Sequence, residues 1–180
     1  MAVILELKGK RRSLTAKRGF NSWLRRFSEP FDENTSPSDL SDSTLGILIQ
    51  GGEEASMPLY EFAMGVLNLG AGPRFYFMDG PPKMLVMDIS LFLLDQLRFE
   101  AMKRLGWVED HPTFHIPLLD LVQDFSTRFA LIRHETPGIS LEHPSHEEYE
   151  KTFEGDRGSF VRKLIPEALK IFDEKSQNGA

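Results

Sequence analysis

The sequence lacks cysteine altogether. Without thiols the chain forms no disulfide framework, no cysteine-ligated zinc or iron–sulfur site and no cysteine nucleophile. It also lacks an uninterrupted apolar run of about 18 residues, the length that crosses a bilayer. The nearest candidate, residues 84–94, is interrupted by Asp88 and Ser90. We therefore expect no transmembrane segment. The first residues are apolar and the charges follow them, the reverse of a secretory signal, so we expect a cytoplasmic protein.

The length and composition are those of one ordinary domain. The chain has 180 residues, of which 41% are hydrophobic and 27% are charged. A chain of this length buries about 70% of the surface that its unfolded form exposes, so it needs no structural metal or disulfide for stability. No cofactor is expected from the composition, although a divalent metal is compatible with the histidine pattern described below.

Charge is distributed very unevenly along the chain. Residues 1–28 contain eight basic residues and one acid, a net charge of +7, whereas the whole chain carries −6. The remaining residues therefore carry −13. We interpret residues 1–28 as a basic amphipathic N-terminal arm, residues 29–44 as an acidic linker or loop, and residues 45–180 as a single globular domain.

Hydrophobic periodicity predicts a mainly helical fold with a minor β component, and an α+β layer is the alternative. The longest predicted helix, residues 83–105, is apolar on almost every side, which is typical of a helix at the centre of a bundle or at a subunit interface. We expect the helical core to form around it. Further helices are predicted over 13–27, 55–69, 117–134 and 159–175, and short strands over 3–7, 46–50 and 74–78.

All five histidines lie between residues 111 and 146. His111 and His115 have a spacing that suits a metal site on a helix, but Pro112 makes a regular turn there unfavourable. A stronger candidate metal site groups imidazoles with carboxylates, which bind zinc, manganese or iron. Its members are His134, His143, His146 and Glu147, with Glu135 as a further ligand. The simpler interpretation is structural, with His134 at a helix end and Ser145 opening a new helix with an acidic first turn.

Asp88 is a second candidate because it interrupts an apolar helical stretch. A desolvated carboxylate has a raised pKa and can act as a general acid or base. Asp95 is seven residues further on and shares its helix face, with Lys103 nearby on that face. The simpler interpretation is that this face is the solvent-exposed stripe of a largely buried helix.

The basic arm has three possible partners. Its candidate partner-binding residues are Arg18, Trp23, Arg25 and Arg26. A strap that joins its aromatic face to the core, or to another subunit, is the preferred interpretation. The alternatives are an interfacial helix on anionic lipid and a nucleic-acid contact through residues 8–26. The acidic body opposes the nucleic-acid interpretation.

Three functional hypotheses follow. The first is a small soluble binding or assembly protein, without enzymatic activity, that forms a homo-oligomer or binds a protein partner. Its basis is the excess of bulky apolar residues, including 14 Phe and 7 Met, over any convergent polar motif. The second is a metal-dependent, hydrolase-like enzyme that uses the cluster within 134–148. The third is nucleic-acid binding through the arm.

Overall fold

The fold is almost entirely α-helical. A computed structural model describes residues 1–179, apart from the side chain of Glu54. The structure is 68% helical, so the mainly helical class predicted from periodicity is confirmed. The α-helices are α1 Ala2–Phe27, α2 Asp42–Leu48, α3 Glu53–Leu67, α4 Gly80–Arg104, α5 Leu118–Gln123, α6 His146–Lys151, α7 Arg157–Lys163 and α8 Ile165–Asn178. Short 3-10 helices cover Pro37–Asp39, Gly72–Phe77, Pro112–His115 and Glu154–Asp156.

The three predicted strands are wrong. Residues 3–7 belong to α1, residues 46–48 belong to α2, and residues 74–77 lie in a 3-10 helix. The side chain of Ser41 accepts a hydrogen bond from the amide of Thr44 and so begins α2 as a helix. The only pairing of β type in the described residues is one isolated antiparallel bridge between Val108 and Ile139. Short apolar runs suit buried helices and strands equally, which is why periodicity misassigned them.

Helix α4 lies at the centre of the fold, as the sequence predicted. It packs against α2, α3, α5 and α8. Its buried side chains include Val86, Ile89, Leu93 and Leu97. The helix ends just before Gly106, whose φ of 78° lies in the left-handed region that glycine adopts without strain.

Helices α1 and α3 form the most extensive contact between two helices in the fold. Two glycines allow their close approach. A Cβ on Gly65 would lie 2.5 Å from the carbonyl oxygen of Arg18, and a Cβ on Gly19 would lie 2.7 Å from Val66 Cγ2. Phe20 and Trp23 of α1 are therefore buried in the main core beside Phe62 of α3. The indole N–H of Trp23 donates to the carbonyl of Pro58 at 2.7 Å.

Residues 29–44 contribute to the packed structure. Leu40 is buried in the main core, and Glu29 accepts hydrogen bonds from the hydroxyls of Ser41 and Thr44 at the start of α2. The guanidinium of Arg12 reaches Asp120 at 2.6 Å and the carbonyl of Glu33 at 3.1 Å. The basic helix α1 is thereby held by one acidic side chain far away in sequence, that of Asp120, and by a backbone carbonyl of the segment that follows the helix.

Each of the two predicted C-terminal helices is shorter in the structure than in the prediction. The predicted helix over 117–134 ends at Gln123, and hydrogen-bonded turns follow, although Phe125 and Phe129 remain buried as expected. The predicted helix over 159–175 divides at Leu164 into α7 and α8. Pro166 causes this division because it has no amide hydrogen for a helix interior and is favoured in a first turn.

No helix within residues 1–179 has both the length and the hydropathy needed to cross a bilayer.

Candidate functional site

A cleft of about 420 Å³ opens between α4, the turns that follow α5, and α7. Its polar lining contains carboxylates, guanidinium groups and one imidazole, and its apolar lining contains leucine and phenylalanine. The lining residues are Asp88, Leu91, Phe92, Asp95, Phe125, Arg133, His134 and Arg162. Three residues that the sequence singled out, Asp88, Asp95 and His134, therefore meet in one concave surface.

Asp95 and Arg162 form an ion pair at one side of the cleft. Arg162 Nη1 donates to Asp95 Oδ2 at 2.8 Å, and the guanidinium also lies over the ring of Phe99. Both side chains are partly exposed, at 23% and 36%. The pair joins α7 to α4 at this side of the cleft. Because Asp95 is engaged in this way, it is a poor candidate for binding a further cation.

The second guanidinium of the cleft belongs to Arg133. It lies 5.2 Å from the ring centroid of Phe125, and its Nε–H donates to Nε2 of His134 at 3.3 Å. Among the described side chains, no carboxylate lies within 4.0 Å of the Arg133 guanidinium, and no cationic group lies within 4.0 Å of the Asp88 carboxylate. The cleft therefore presents one uncompensated charge of each sign.

An apolar stripe continues from the cleft along the exposed side of α4. Met84, Met87 and Leu91 follow one another at helical spacing and are 64%, 42% and 60% exposed. Leu131, in the turn beside the cleft, is 95% exposed. The sequence predicted a helix that is apolar on almost every side, and the structure shows that one of those sides is uncovered.

The proposed histidine and carboxylate ligands do not converge. His134 lies in the cleft, whereas His143 packs against Trp107 with ring centroids 5.0 Å apart. His146 lies with Nδ1 at 3.1 Å from the carbonyl of Ile139, and Glu147 pairs with Lys151. Across residues 1–179, leaving aside Glu54, no group of three or more histidine and acidic side chains has the geometry to hold a metal ion. The structure therefore does not assemble the metal site predicted from spacing.

Each histidine outside the cleft has a local partner. Nδ1 of His143 accepts a hydrogen bond from the amide of Ser145. Burial lowers the pKa of His143, and the nearby negative charge of Glu167, which raises that pKa, only partly offsets the effect of burial. His111 lies 2.8 Å from the hydroxyl of Thr113, and His115 lies 2.7 Å from Asp110. The structural interpretation of the histidines is right in one part and wrong in the other. Ser145 does precede helix α6, whose first turn contains Glu147 and Glu148. His134 does not lie at a helix end, because α5 ends at Gln123. Glu135 is exposed and follows directly after His134.

Lys103 is not part of the cleft. The sequence placed it near Asp88 and Asp95, but its ammonium group lies 3.2 Å from Glu100 and 3.6 Å from Asp110. Glu100 is almost fully buried and is also bound by Arg104 at 2.9 Å. This group holds the end of α4 against the 3-10 helices that precede α2 and α5.

The predicted partner-binding residues of the arm fall into two groups. Trp23 is buried in the core, and Arg26 pairs with Glu61. Arg18 and Arg25 are exposed and edge a shallow pocket of about 460 Å³ between α1 and the loop at Gly70. Trp23 is buried because α1 packs against α3. The helical spacing of Trp23 does not by itself specify which element covers it.

Comparison of the chain with protein-family models, with curated proteins and with solved structures gives no significant match. The functional argument therefore depends on the geometry of the chain itself.

Proposed function

We propose that this chain is a binding and assembly protein that self-associates through the exposed side of α4 and the adjoining cleft. The observation that carries the proposal is the uncovered stripe formed by Met84, Met87 and Leu91 on the most central helix of the fold. Flexible methionine side chains adapt well to a partner surface, and clustered exposed apolar residues mark interaction sites.

The charges beside the stripe suit a second copy of the same chain. A twofold dimer uses one patch on both subunits, so a group on one copy must find its counterpart on the other. Asp88 and Arg133 line the same cleft and each lacks an oppositely charged partner. Two copies that meet about an axis through α4 would form the Asp88–Arg133 pair twice, once in each direction.

The size of the patch sets the expected affinity. From Met84 to Leu91 the stripe extends over about 11 Å of helix, and a helix with its side chains is about 10–12 Å wide. This area is well below the roughly 800 Å² per partner of a standard interface. Leu131 and the rim of the cleft add to it. We therefore expect a reversible dimer that forms at micromolar concentration.

Sedimentation velocity over a concentration series tests the proposal directly. Leu91→Asp places a charge at the centre of the stripe and should leave the chain monomeric at every concentration. Leu141→Asp is the matched control, because Leu141 is also an exposed leucine, at 78%, and lies outside the stripe and the cleft. A wild-type chain that remains monomeric at high micromolar concentration would refute the proposal.

A charge exchange tests the reciprocal pair. Asp88→Arg and Arg133→Asp should each weaken dimerisation, because each places like charges opposite one another across the axis. The double variant restores opposite charges and should recover most of the wild-type affinity. Glu154→Arg, an exposed change of the same sign on another surface, controls for net charge. Equal weakening by Glu154→Arg and Asp88→Arg would contradict a specific pair.

The cytoplasmic location and the soluble character expected from the sequence form part of this proposal. The mostly buried apolar residues of the helical core support the soluble character.

A further inference from the structure

Helix α1 has two sides with different environments. One side, with Ala16, Gly19, Phe20 and Trp23, is buried against the body. Residues 1–11 are exposed on all sides and extend beyond the body. At about 100° per residue, the side opposite the buried one carries mainly aliphatic and basic residues, with one neutral polar residue, Asn21. The aliphatic and basic members of this outer face are Val3, Leu7, Lys10, Arg11, Leu14, Lys17, Arg18 and Arg25, all of them exposed.

The cations of the outer face are almost entirely unneutralised. Lys10 lies 3.3 Å from Glu6, at the edge of the face. No carboxylate among the described side chains lies within 4.0 Å of Arg11, Lys17, Arg18 or Arg25, since none of the ion pairs within residues 1–179 includes them. The neighbouring Arg12 and Arg26, by contrast, are used inside the fold by Asp120 and Glu61. The basic residues of α1 thus form two sets. Arg12 and Arg26 form ion pairs within the fold, and the cations of the outer face are exposed to solvent.

Aliphatic side chains lie among these cations. Val3, Leu7 and Leu14 are 68%, 60% and 61% exposed. They are spaced four and seven residues apart and therefore form one line along the helix. A phosphate backbone of nucleic acid gains nothing from exposed aliphatic residues, because its contacts are electrostatic. An anionic bilayer uses both kinds of residue, with aliphatic groups entering the acyl boundary and cations binding the head groups.

We propose that the outer face of α1 binds the surface of an anionic phospholipid bilayer, with the helix lying in the plane of the interface. Helix α1 is about 39 Å long, and the body lies on the opposite side of it, so the helix reaches the lipid without displacing any core contact. Arg18 and Arg25 edge the pocket beside Gly70, which gives a lipid head group a concave seat next to the helix. The cytoplasmic leaflet of a cell membrane carries the negative charge that this face needs.

Vesicle co-sedimentation of the full chain tests this inference. Vesicles of phosphatidylcholine mixed with phosphatidylserine should bind the wild-type protein, and vesicles of phosphatidylcholine alone should bind it much more weakly. Arg11→Gln and Lys17→Gln should each lower the partition coefficient about fivefold, the effect of about one basic residue near an anionic surface. Lys170→Gln, an exposed change of equal charge on α8, should leave partition unchanged.

Variants of two leucines in α1 distinguish insertion of the helix into the lipid from attraction by charge alone. Leu7 and Leu5 are similarly exposed, at 60% and 66%, but they point to nearly opposite sides of α1. Leu7→Ser should lower partition about tenfold, because one leucine leaves the acyl boundary, whereas Leu5→Ser should have little effect. Neither variant changes the net charge, so a purely electrostatic attachment would respond to neither.

Three results would overturn the inference. The first is the absence of binding to vesicles that contain phosphatidylserine. The second is equal sensitivity to Leu7→Ser and Leu5→Ser. The third is a chain that does not bind vesicles but binds a DNA duplex, with an affinity for DNA that Leu7→Ser leaves unchanged. That result would assign the outer face to nucleic acid. Leu91→Asp serves as an independent control, because it disrupts the α4 surface and should leave vesicle binding intact.

Discussion

Replacement of Gly65 by alanine tests the closest contact in the fold. Gly65 is a helical residue without a positive φ, so alanine is compatible with its backbone conformation. The added methyl group would instead clash with the backbone of the neighbouring helix α1. A Cβ at this position would lie 2.5 Å from the carbonyl oxygen of Arg18 and 2.9 Å from the Cα of Gly19, and real Cβ atoms essentially never approach closer than 3.0 Å. Helices α1 and α3 would have to separate by about half an ångström.

Two opposing effects determine the expected magnitude. Overpacking of a close contact costs about 1–3 kcal/mol, and the upper part of this range applies because the atoms in the way are backbone atoms that have no alternative rotamer. Alanine gains about 1 kcal/mol over glycine in helix propensity. We expect a net loss of about 2 kcal/mol, which lowers the melting temperature by about 4–8 °C in a chain of this length.

Urea unfolding, followed by the fluorescence of Trp23 and Trp107, measures this loss. Trp23 lies in α1, is fully buried against α3 and reports on a position close to the contact. Gly9→Ala in the same helix is the matched control. A Cβ on Gly9 has no neighbour within 4 Å, so this variant gains helix propensity without a steric cost and should be at least as stable as the wild type. A Gly65→Ala chain as stable as the wild type would refute the close-contact explanation.

Three further predictions concern single interactions. Trp23→Phe removes the donor that binds the buried carbonyl of Pro58 and should cost about 1–3 kcal/mol in the free energy of unfolding; an unchanged urea midpoint would contradict this expectation. Arg12→Ala removes the two-point contact with Asp120 and should cost up to about 1 kcal/mol, less at high salt because both side chains are partly exposed, which unfolding at two ionic strengths measures. Burial raises the pKa of Glu29, but hydrogen bonds from Thr44 and Ser41 outweigh burial and leave that pKa below its ordinary 4.5. The stabilisation from Glu29 is therefore complete above the unfolded pKa and is lost as the pH falls through the folded pKa. Glu29→Gln should lower the melting temperature at neutral pH, and its difference from the wild type should shrink as the pH falls below 4.5. A difference that stays constant as the pH falls would contradict the linkage.

Two of the cleft residues have a signal in the sequence. Asp88 is a carboxylate that interrupts an apolar helix, and His134 begins a group of histidines and acids. Their meeting in one cleft was not predicted, because it depends on how the turns after α5 return towards α4. Arg133 and Arg162 had no distinguishing signal in the sequence, since isolated arginines on amphipathic helices or turns usually face solvent.

Local patterns in the sequence are sufficient to predict the helical class, the central position of α4 and the amphipathic character of α1. These properties follow from periodicity and from local stop signals such as Gly106, which act within a few residues along the chain. Long-range packing, by contrast, makes residues 46–48 and 74–77 helical and buries Trp23 against Phe62 of the same chain rather than against another subunit. It also determines that Arg12 pairs with Asp120 while Arg11 faces solvent. These outcomes depend on contacts between residues far apart in sequence, and such contacts are fixed by the packing of whole helices rather than by local pattern.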